Sequence, residues 1–262
     1  MKFKDKVVFI TGGAKGLGRA MAEAFLAEGA AVVVNGRNKA TTAKFEEDFK
    51  GQRVLAFNND ITDFEAMEKT AADVVSAWGK VDILINNAGI VNPLAPSEKM
   101  KKDDFDKVID VNLKGTFYAT QAFGKKMIAQ KSGRIINMAS QVALFGEKGF
   151  LPYAISKSAL IVMARELSYE WSKHGVTICT LAPGFIKGGM NEGLVRKEVF
   201  VNFLSSKTPI GRMGTVDEVI ATILFLASDV AHYINGETII MDGGMTGYTP
   251  EGLLDFISKA KT

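Results

Sequence analysis

The chain has one cysteine and two histidines. Cys179 alone cannot close an intrachain disulfide, and it lies in an apolar, strand-like run, so it reads as a small buried hydrophobe rather than a nucleophile. With only His174 and His232 to join it, a His/Cys metal site is not expected. Charge of one sign is missing too. The 32 Lys and Arg stand against 29 Asp and Glu, a net charge of +3, with no dense basic cluster, so nucleic acid is not an expected partner. No apolar run approaches the ~20 residues that cross a bilayer. The first residues lead straight into a strand pattern without the architecture of a secretory signal. A cytoplasmic protein with no membrane partner is expected. No Pro/Gly/Ser tract or low-complexity stretch divides the chain, and its 262 residues read as one domain.

What the chain does have is regular alternation. β-branched runs over 6–11, 31–35, 53–58, 81–86, 134–138, 176–181 and 237–241 predict strands. Between them lie helical patterns over 16–28, 40–50, 64–78, 103–130, 153–173 and 216–228. Continuous Val/Ile runs are strands buried on both faces, and βαβ alternation implies right-handed crossovers. The predicted fold class is α/β: a doubly wound sheet of about seven parallel strands with helices on both faces. Residues 184–214, rich in Gly and Met, have the least regular pattern and fit a mobile lid or an ordered pair of short helices equally well.

Thr11-Gly12-Gly13-Ala14-Lys15-Gly16-Leu17-Gly18 follows the first strand and opens the first helix. Glycines there permit a tight turn and close approach to a pyrophosphate, which the free N–H groups of a helix N-terminus attract. The spacing is G-x-x-x-G-x-G rather than G-x-G-x-x-G, but its place in the βα unit points to a dinucleotide. The second strand ends in Asn35-Gly36-Arg37-Asn38, with no carboxylate for a ribose 2′-hydroxyl. Arg37 can fork onto a 2′-phosphate and Lys15 can approach it, so NADP(H) is favoured over NAD(H); the alternative is that both cations simply face water. Asp60, with Ile61 beside it, follows the third strand. It either accepts from the adenine amine or caps the next helix, for which Asp63 is the better candidate. Asn86-Asn87-Ala88-Gly89 ends the fourth strand at the carboxyl edge, where open α/β sheets bind ligands. Its small residues leave room for a nicotinamide ribose, and its amides can also brace neighbouring strands.

Tyr153 and Lys157 are four residues apart, on one helical face, and Ser140 lies thirteen residues before Tyr153. A nearby ammonium favours a phenolate, and a serine hydroxyl can hold a substrate oxygen. The set suits proton transfer at a carbonyl or alcohol oxygen. Tyr and Lys at this spacing also occur on ordinary amphipathic helices.

Taken together, these residues resemble the short-chain dehydrogenases/reductases in order and spacing, over 4–244. The resemblance rests on the glycine run, Asn86-Asn87-Ala88-Gly89, Asn112, Ser140, Tyr153, Lys157, Pro183-Gly184, Gly211-Arg212-Met213-Gly214 and Asp242-Gly243-Gly244. It is nearest to the bacterial subgroup of 3-oxoacyl-carrier-protein reductases, sugar dehydrogenases and hydroxysteroid dehydrogenases. It implies a Rossmann-type fold and an oxidoreductase that interconverts a ketone and a secondary alcohol by hydride transfer. It also implies roles. Tyr153 is the general acid in reduction and the base in oxidation. Lys157 holds the nicotinamide ribose and lowers the Tyr153 pKa, and Ser140 polarises the substrate oxygen. Asn112 holds a water that relays protons through Lys157. Gly184 and Ile186, after Pro183, meet the carboxamide. The chain departs from the family at Gly188, where a Thr that bonds the carboxamide is usual. Either backbone groups replace it or the lid orders only with ligand. Gly188 is also the only support for a non-catalytic, cofactor-binding regulator, since all four catalytic positions carry competent residues.

The residues expected at the substrate are apolar: Val142, Leu144 and Phe145 after Ser140, Phe150 and Leu151 before Tyr153, and Met190, Leu194, Phe200, Phe203 and Leu204 in the lid. Such a pocket suits a ketone on a lipophilic body, and a hydroxysteroid-like substrate is favoured over a sugar. A carrier-bound 3-oxoacyl group stays open. Lys125, Lys126, Lys131 and Arg134 form either a basic landing patch for an acidic acyl carrier protein or a solvated helix end. The tail over 245–262, with Tyr248, Leu253, Leu254, Phe256 and Ile257 at apolar spacing, suggests a short packed helix. The resemblance further implies a homotetramer. It would pair the helices of 103–130 and 153–173 in one interface and the last strand in another.

Overall fold

The computed structural model describes residues 1–188 and 198–247. Seven strands form one parallel sheet: β1 (Val7–Ile10), β2 (Ala31–Gly36), β3 (Val54–Asn58), β4 (Ile83–Asn86), β5 (Gly133–Met138), β6 (Val176–Pro183) and β9 (Thr238–Met241). Their order is β3-β2-β1-β4-β5-β6-β9, reversing direction at β1 as a doubly wound sheet does. The helices between them are α1 (Gly16–Ala27), α2 (Lys39–Asp48), α3 (Phe64–Trp78), α4 (Lys102–Ile109), α5 (Thr116–Gln130), α6 (Leu151–Trp171), α7 (Glu198–Lys207) and α8 (Val216–Ala227).

Strand alternation divides the core in two. Val8, Ile10, Val32 and Val34 turn to the face covered by α1 and α8, where they meet Met21, Phe25, Val219 and Ile223. Val7, Phe9, Ala31 and Val33 turn to the opposite face, under α3 and α5. There Phe9 stacks on Phe123 with ring centroids 4.2 Å apart. Each such fully buried side chain contributes about 1.5–3 kcal/mol. Burial on both faces is why these strands read as unbroken apolar runs.

Local side-chain caps set three of the helix starts. Asn38 caps α2 by accepting from Thr41 N, and Asp63 caps α3 by accepting from Ala66 N at 2.9 Å. Thr215 and Glu218 form a reciprocal capping box on α8. No side chain caps α1, whose first-turn N–H groups therefore have no local acceptor.

One feature departs from the sequence expectation. The single helix predicted over 103–130 is interrupted: α4 passes through a π-helical turn, Asp110–Gly115, into α5. The turn is held by tertiary packing, since a Cβ on Gly115 would lie 2.6 Å from Ile61 Cγ1. The 184–214 segment contains ordered elements at both ends. β7 (Ile186–Lys187) pairs in parallel with β8 (Gly214–Thr215), and α7 lies between them in sequence. Gly188 has φ +110, and a Cβ there would stand 3.4 Å from Val216 Cγ2. A threonine at this position would be strained, which is a physical reason for the glycine.

No helix among the described residues is long and apolar enough to cross a membrane.

Candidate active site

β5 ends at Met138, and Ser140 follows in extended conformation at the start of a 3-10 turn, Gln141–Ala143. α6 opens with Pro152 in its first turn, so Tyr153 and Lys157 fall on its inner face, and both are buried. Ser158, further along α6, donates to Ala143 O at 2.8 Å and ties the serine loop to the helix. The Ser140 hydroxyl lies beside the Tyr153 phenol and favours its charged form. Lys157 Nζ donates to Met138 O at 2.6 Å and sits 5.7 Å from the Tyr153 ring centroid.

Burial dominates the electrostatics. It pushes the Tyr153 phenol above its ordinary value, and the neighbouring Ser140 hydroxyl only partly offsets this. Burial also lowers the Lys157 ammonium from 10.5 to about 8.

The π-helical turn aims Asn112 at this group. Its Oδ1 accepts from Ile90 N at 2.8 Å, while its Nδ2 donates to Ile90 O at 2.9 Å and to Ser156 Oγ at 3.1 Å. Ser156 in turn donates to Tyr153 O at 2.7 Å. Gly89 closes the arrangement. A Cβ there would lie 3.3 Å from Asn112 Oδ1 and 3.4 Å from Lys157 Nζ, so glycine leaves a slot over the lysine at the carboxyl edge of β4.

The glycine run occupies the adjacent edge. Gly12 has φ +64, and a Cβ on Gly18 would meet Gly12 O at 2.5 Å and Asn87 Nδ2 at 2.7 Å. Gly16 has φ +55 with open space around it. An uncapped helix N-terminus beneath open space, with glycines where a Cβ would intrude, fits the pyrophosphate of a dinucleotide. Lys15 and Arg37 are both exposed near this edge.

A family model described as enoyl-(acyl carrier protein) reductase matches residues 12–246. The chain belongs to the short-chain dehydrogenase/reductase family. Among curated members of the family, a gluconate 5-dehydrogenase of Gluconobacter oxydans is 34% identical, covering 90% of this chain and 93% of its own. A 3-oxoacyl-[acyl-carrier-protein] reductase of Thermotoga maritima is 37% identical, covering 94% and 99%. A gluconate 5-dehydrogenase from Burkholderia cenocepacia, solved with NADP and tartrate, superposes with a TM-score of 0.89 at 32% identity over 95% of this chain and 98% of its own.

Within this short-chain dehydrogenase/reductase fold, the other residues expected at the site take the following places. Ile61 is a core side chain, 5% exposed, packed on Gly115, so only its backbone is free for a cofactor. Asp60 accepts from Thr62 and faces Arg37 across 3.6 Å. Leu17 packs on the core, and Ile186 lies in β7 against Gly214. Gly184 is wedged against Asp242, where a Cβ would approach its Cα to 2.8 Å. Val142 and Phe150 cluster with Tyr153, whereas Leu144 and Leu151 are exposed. In α7, Leu204 is buried and Phe203 exposed. Met190, Leu194 and the tail beyond residue 247 lie outside the described residues. Of the four residues considered for a basic landing patch, Arg134 is 3% exposed inside the sheet, and Lys125 pairs with Glu68 at 2.7 Å.

Three supporting residues escaped the sequence reading. Thr11 Oγ1 accepts from both Asn87 N and Ala88 N at 3.0 Å, joining the glycine run to the end of β4. Asn35 turns inward, accepting from Gly12 N at 2.9 Å and donating to Asn59 at 2.8 Å. Ser156 bridges Asn112 and Tyr153. Only Ser156 carried a signal, its place on α6 between Tyr153 and Lys157.

Proposed function

We propose that the protein is an NADP(H)-dependent oxidoreductase that interconverts a ketone and a secondary alcohol, with Tyr153 as general acid and base. The observation that carries this is the buried phenol of Tyr153, with Ser140 beside it and Lys157 one turn along under the slot at Gly89. A bound nicotinamide dinucleotide supplies the hydride. Ser140 holds the substrate oxygen, and Tyr153 delivers a proton to that oxygen in reduction and removes it in oxidation. Lys157 is held by Met138 O within reach of the space beside Gly89, which suits a ribose hydroxyl. Asn112, fixed by Ile90 and Ser156, carries protons toward Lys157 by way of water.

NADP(H) preference rests on Lys15 and Arg37, two exposed cations at the cofactor edge with no carboxylate ending β2. Asp60 opposes it, because a 2′-phosphate must compete with that carboxylate for Arg37. The NADP bound to the Burkholderia cenocepacia relative supports the preference.

The apolar wall around Tyr153, made by Ile90, Val142, Phe145 and Phe150, favours a lipophilic substrate body. The relatives named above are called after gluconate and carrier-bound 3-oxoacyl groups, and give no support to a hydroxysteroid. A 3-oxoacyl thioester satisfies both the wall and a named relative, and we take it as the favoured substrate class, with a keto-sugar second. A homotetramer is supported by the exposed apolar side chains of Phe117, Ile155, Val162, Phe225 and Ile240 on α5, α6, α8 and β9.

The test is steady-state oxidation of NADPH and of NADH with acetoacetyl-CoA, 5-ketogluconate and a steroid ketone. NADPH turnover with the thioester is the expected result. Asp60→Asn should widen the NADPH preference by about threefold or more, since it frees Arg37 for the phosphate. A preference for NADH would overturn the role given to Lys15 and Arg37.

A further inference from the structure

Asn92 lies in the loop that follows β4 and is 4% exposed. Its Nδ2 donates to Gly149 O at 2.8 Å, 57 residues away, and to Pro93 O at 2.9 Å. Its Oδ1 is buried without a partner. Both amide protons are thus spent on holding two loops together, with the acceptor left unpartnered.

The two loops are the ones that flank Tyr153. The first is pinned at Ile90 by the Asn112 amide, which bonds both Ile90 N and Ile90 O. The second leads through Gly149 into Phe150, whose ring lies 6.2 Å from that of Tyr153. Ile90 and Phe150 pack in the same apolar cluster as Tyr153 and Val142. Gly149 has φ +86, and a Cβ there would touch Leu94 Cβ and Ala95 N, each at 3.4 Å, so the loops meet backbone to backbone. Around this seam Val91, Leu94, Leu144 and Leu151 remain 37–63% exposed, an apolar rim on a wall that Asn92 joins.

We propose that Asn92 is a positioning residue that latches these loops into one wall on the substrate side of Tyr153. The inference rests on the ketone-reduction reading for its substrate but not for its geometry. Asn92 touches neither the phenol nor the glycine run, so it acts on substrate binding through Phe150 and Ile90 rather than on proton transfer or cofactor.

Asn92→Ala removes both donors. Asn92→Asp keeps the shape and turns an acceptor toward two carbonyl oxygens. For both, with NADPH and acetoacetyl-CoA, KM for the thioester should rise roughly tenfold, with kcat, its pH profile and KM for NADPH within about twofold of the parent. Backbone amides of 146–151 should exchange with deuterium at least about tenfold faster, and those of β1 should be unchanged. If Asn92→Asp does not fold, Asn92→Ala alone decides. An unchanged KM with unchanged exchange overturns the proposal. So does a fall in kcat at constant KM that tracks the folded fraction, which is what a purely structural residue would produce. If the parent protein turns over no ketone, the reading of function fails by itself. The latch is then judged by the exchange of 90–95 and 146–151 in Asn92→Ala against its NADPH affinity. Faster exchange with unaltered affinity supports it, and unaltered exchange overturns it.

Discussion

Tyr153 is a phenol that its surroundings keep protonated. Burial raises it and Ser140 only tempers this, which suits a group that must hold a proton until substrate and cofactor arrive. Tyr153→Phe keeps the ring that packs with Val142 and Phe150. Turnover should fall by roughly 10²–10⁴-fold, the usual share of a general acid, while NADPH binding, followed by fluorescence, persists. Lys157 makes a separate pH prediction. Its folded pKa of about 8 lies below the 10.5 of an unhindered lysine. Burying it costs stability wherever it must stay charged, that is, below about pH 8, and the cost is relieved as pH rises through the window up to 10.5. The unfolding free energy of the ligand-free protein, measured against Lys157→Met by urea titration, should therefore gain up to about 3 kcal/mol across that window. A constant difference would contradict the assignment.

At the scale of elements, the β1–α1 turn separates two reasons for glycine. Gly18 is enclosed, since a Cβ would strike Gly12 O and Asn87 Nδ2. Gly18→Ala should disturb the turn itself and lower both stability and cofactor affinity. Gly16 is open, with nothing near its Cβ direction but a φ of +55. Gly16→Ala should lose only about 1–2 kcal/mol of stability through backbone strain. Its Cβ enters the space over the helix N-terminus, so the NADPH dissociation constant should rise about tenfold or more by calorimetry. Equal affinity for the parent and Gly16→Ala would show that the pyrophosphate lies elsewhere. The π-helical turn also shapes the site. Without its extra residue, Asn112 would be rotated away from Ile90 and Ser156.

Across the whole molecule, Arg134 joins parts of the chain that meet only in the folded state. From β5 it donates to Leu226 O at the end of α8 and to Ile234 O, both at 2.8 Å, and to Thr177 Oγ1 and Cys179 Sγ on β6. Burial pushes its pKa down and the Cys179 contact pushes it up. Because its partners are carbonyls, a hydroxyl and a thiol, the hydrogen bonds rather than an ion pair satisfy it. Arg134→Met would strand two buried carbonyls and should lower stability by about 2–4 kcal/mol in urea, with unchanged KM values. A larger effect on KM than on stability would mean that the residue communicates with the site.

Local pattern was enough to specify the sheet, its flanking helices and the polar landmarks along its carboxyl edge. Apolar alternation in the strands, capping at Asp63 and the glycine run after β1 are set by neighbours one to four residues away. Tyr153 and Lys157 share a face for the same reason, and Ser140 comes to them because β5 ends beside α6. The rest depends on contacts made only in the fold. A basic residue in a polar stretch reads as solvated, yet Arg134 is buried, because the carbonyls that accept it are 92 and 100 residues away. Arg37 reads as a free cation, yet it faces Asp60 from the next strand end. Asn35 reads as a missing carboxylate, yet it is spent on Gly12 N. The π-helical turn breaks a pattern that local propensity continues, because Gly115 and Asn112 answer to Ile61 and Ile90 rather than to their helical neighbours. Desolvation of Tyr153 and Lys157 likewise depends on what covers them. Hydrogen-bond partners and burial are properties of distant segments brought together, and a pattern of near neighbours does not contain them.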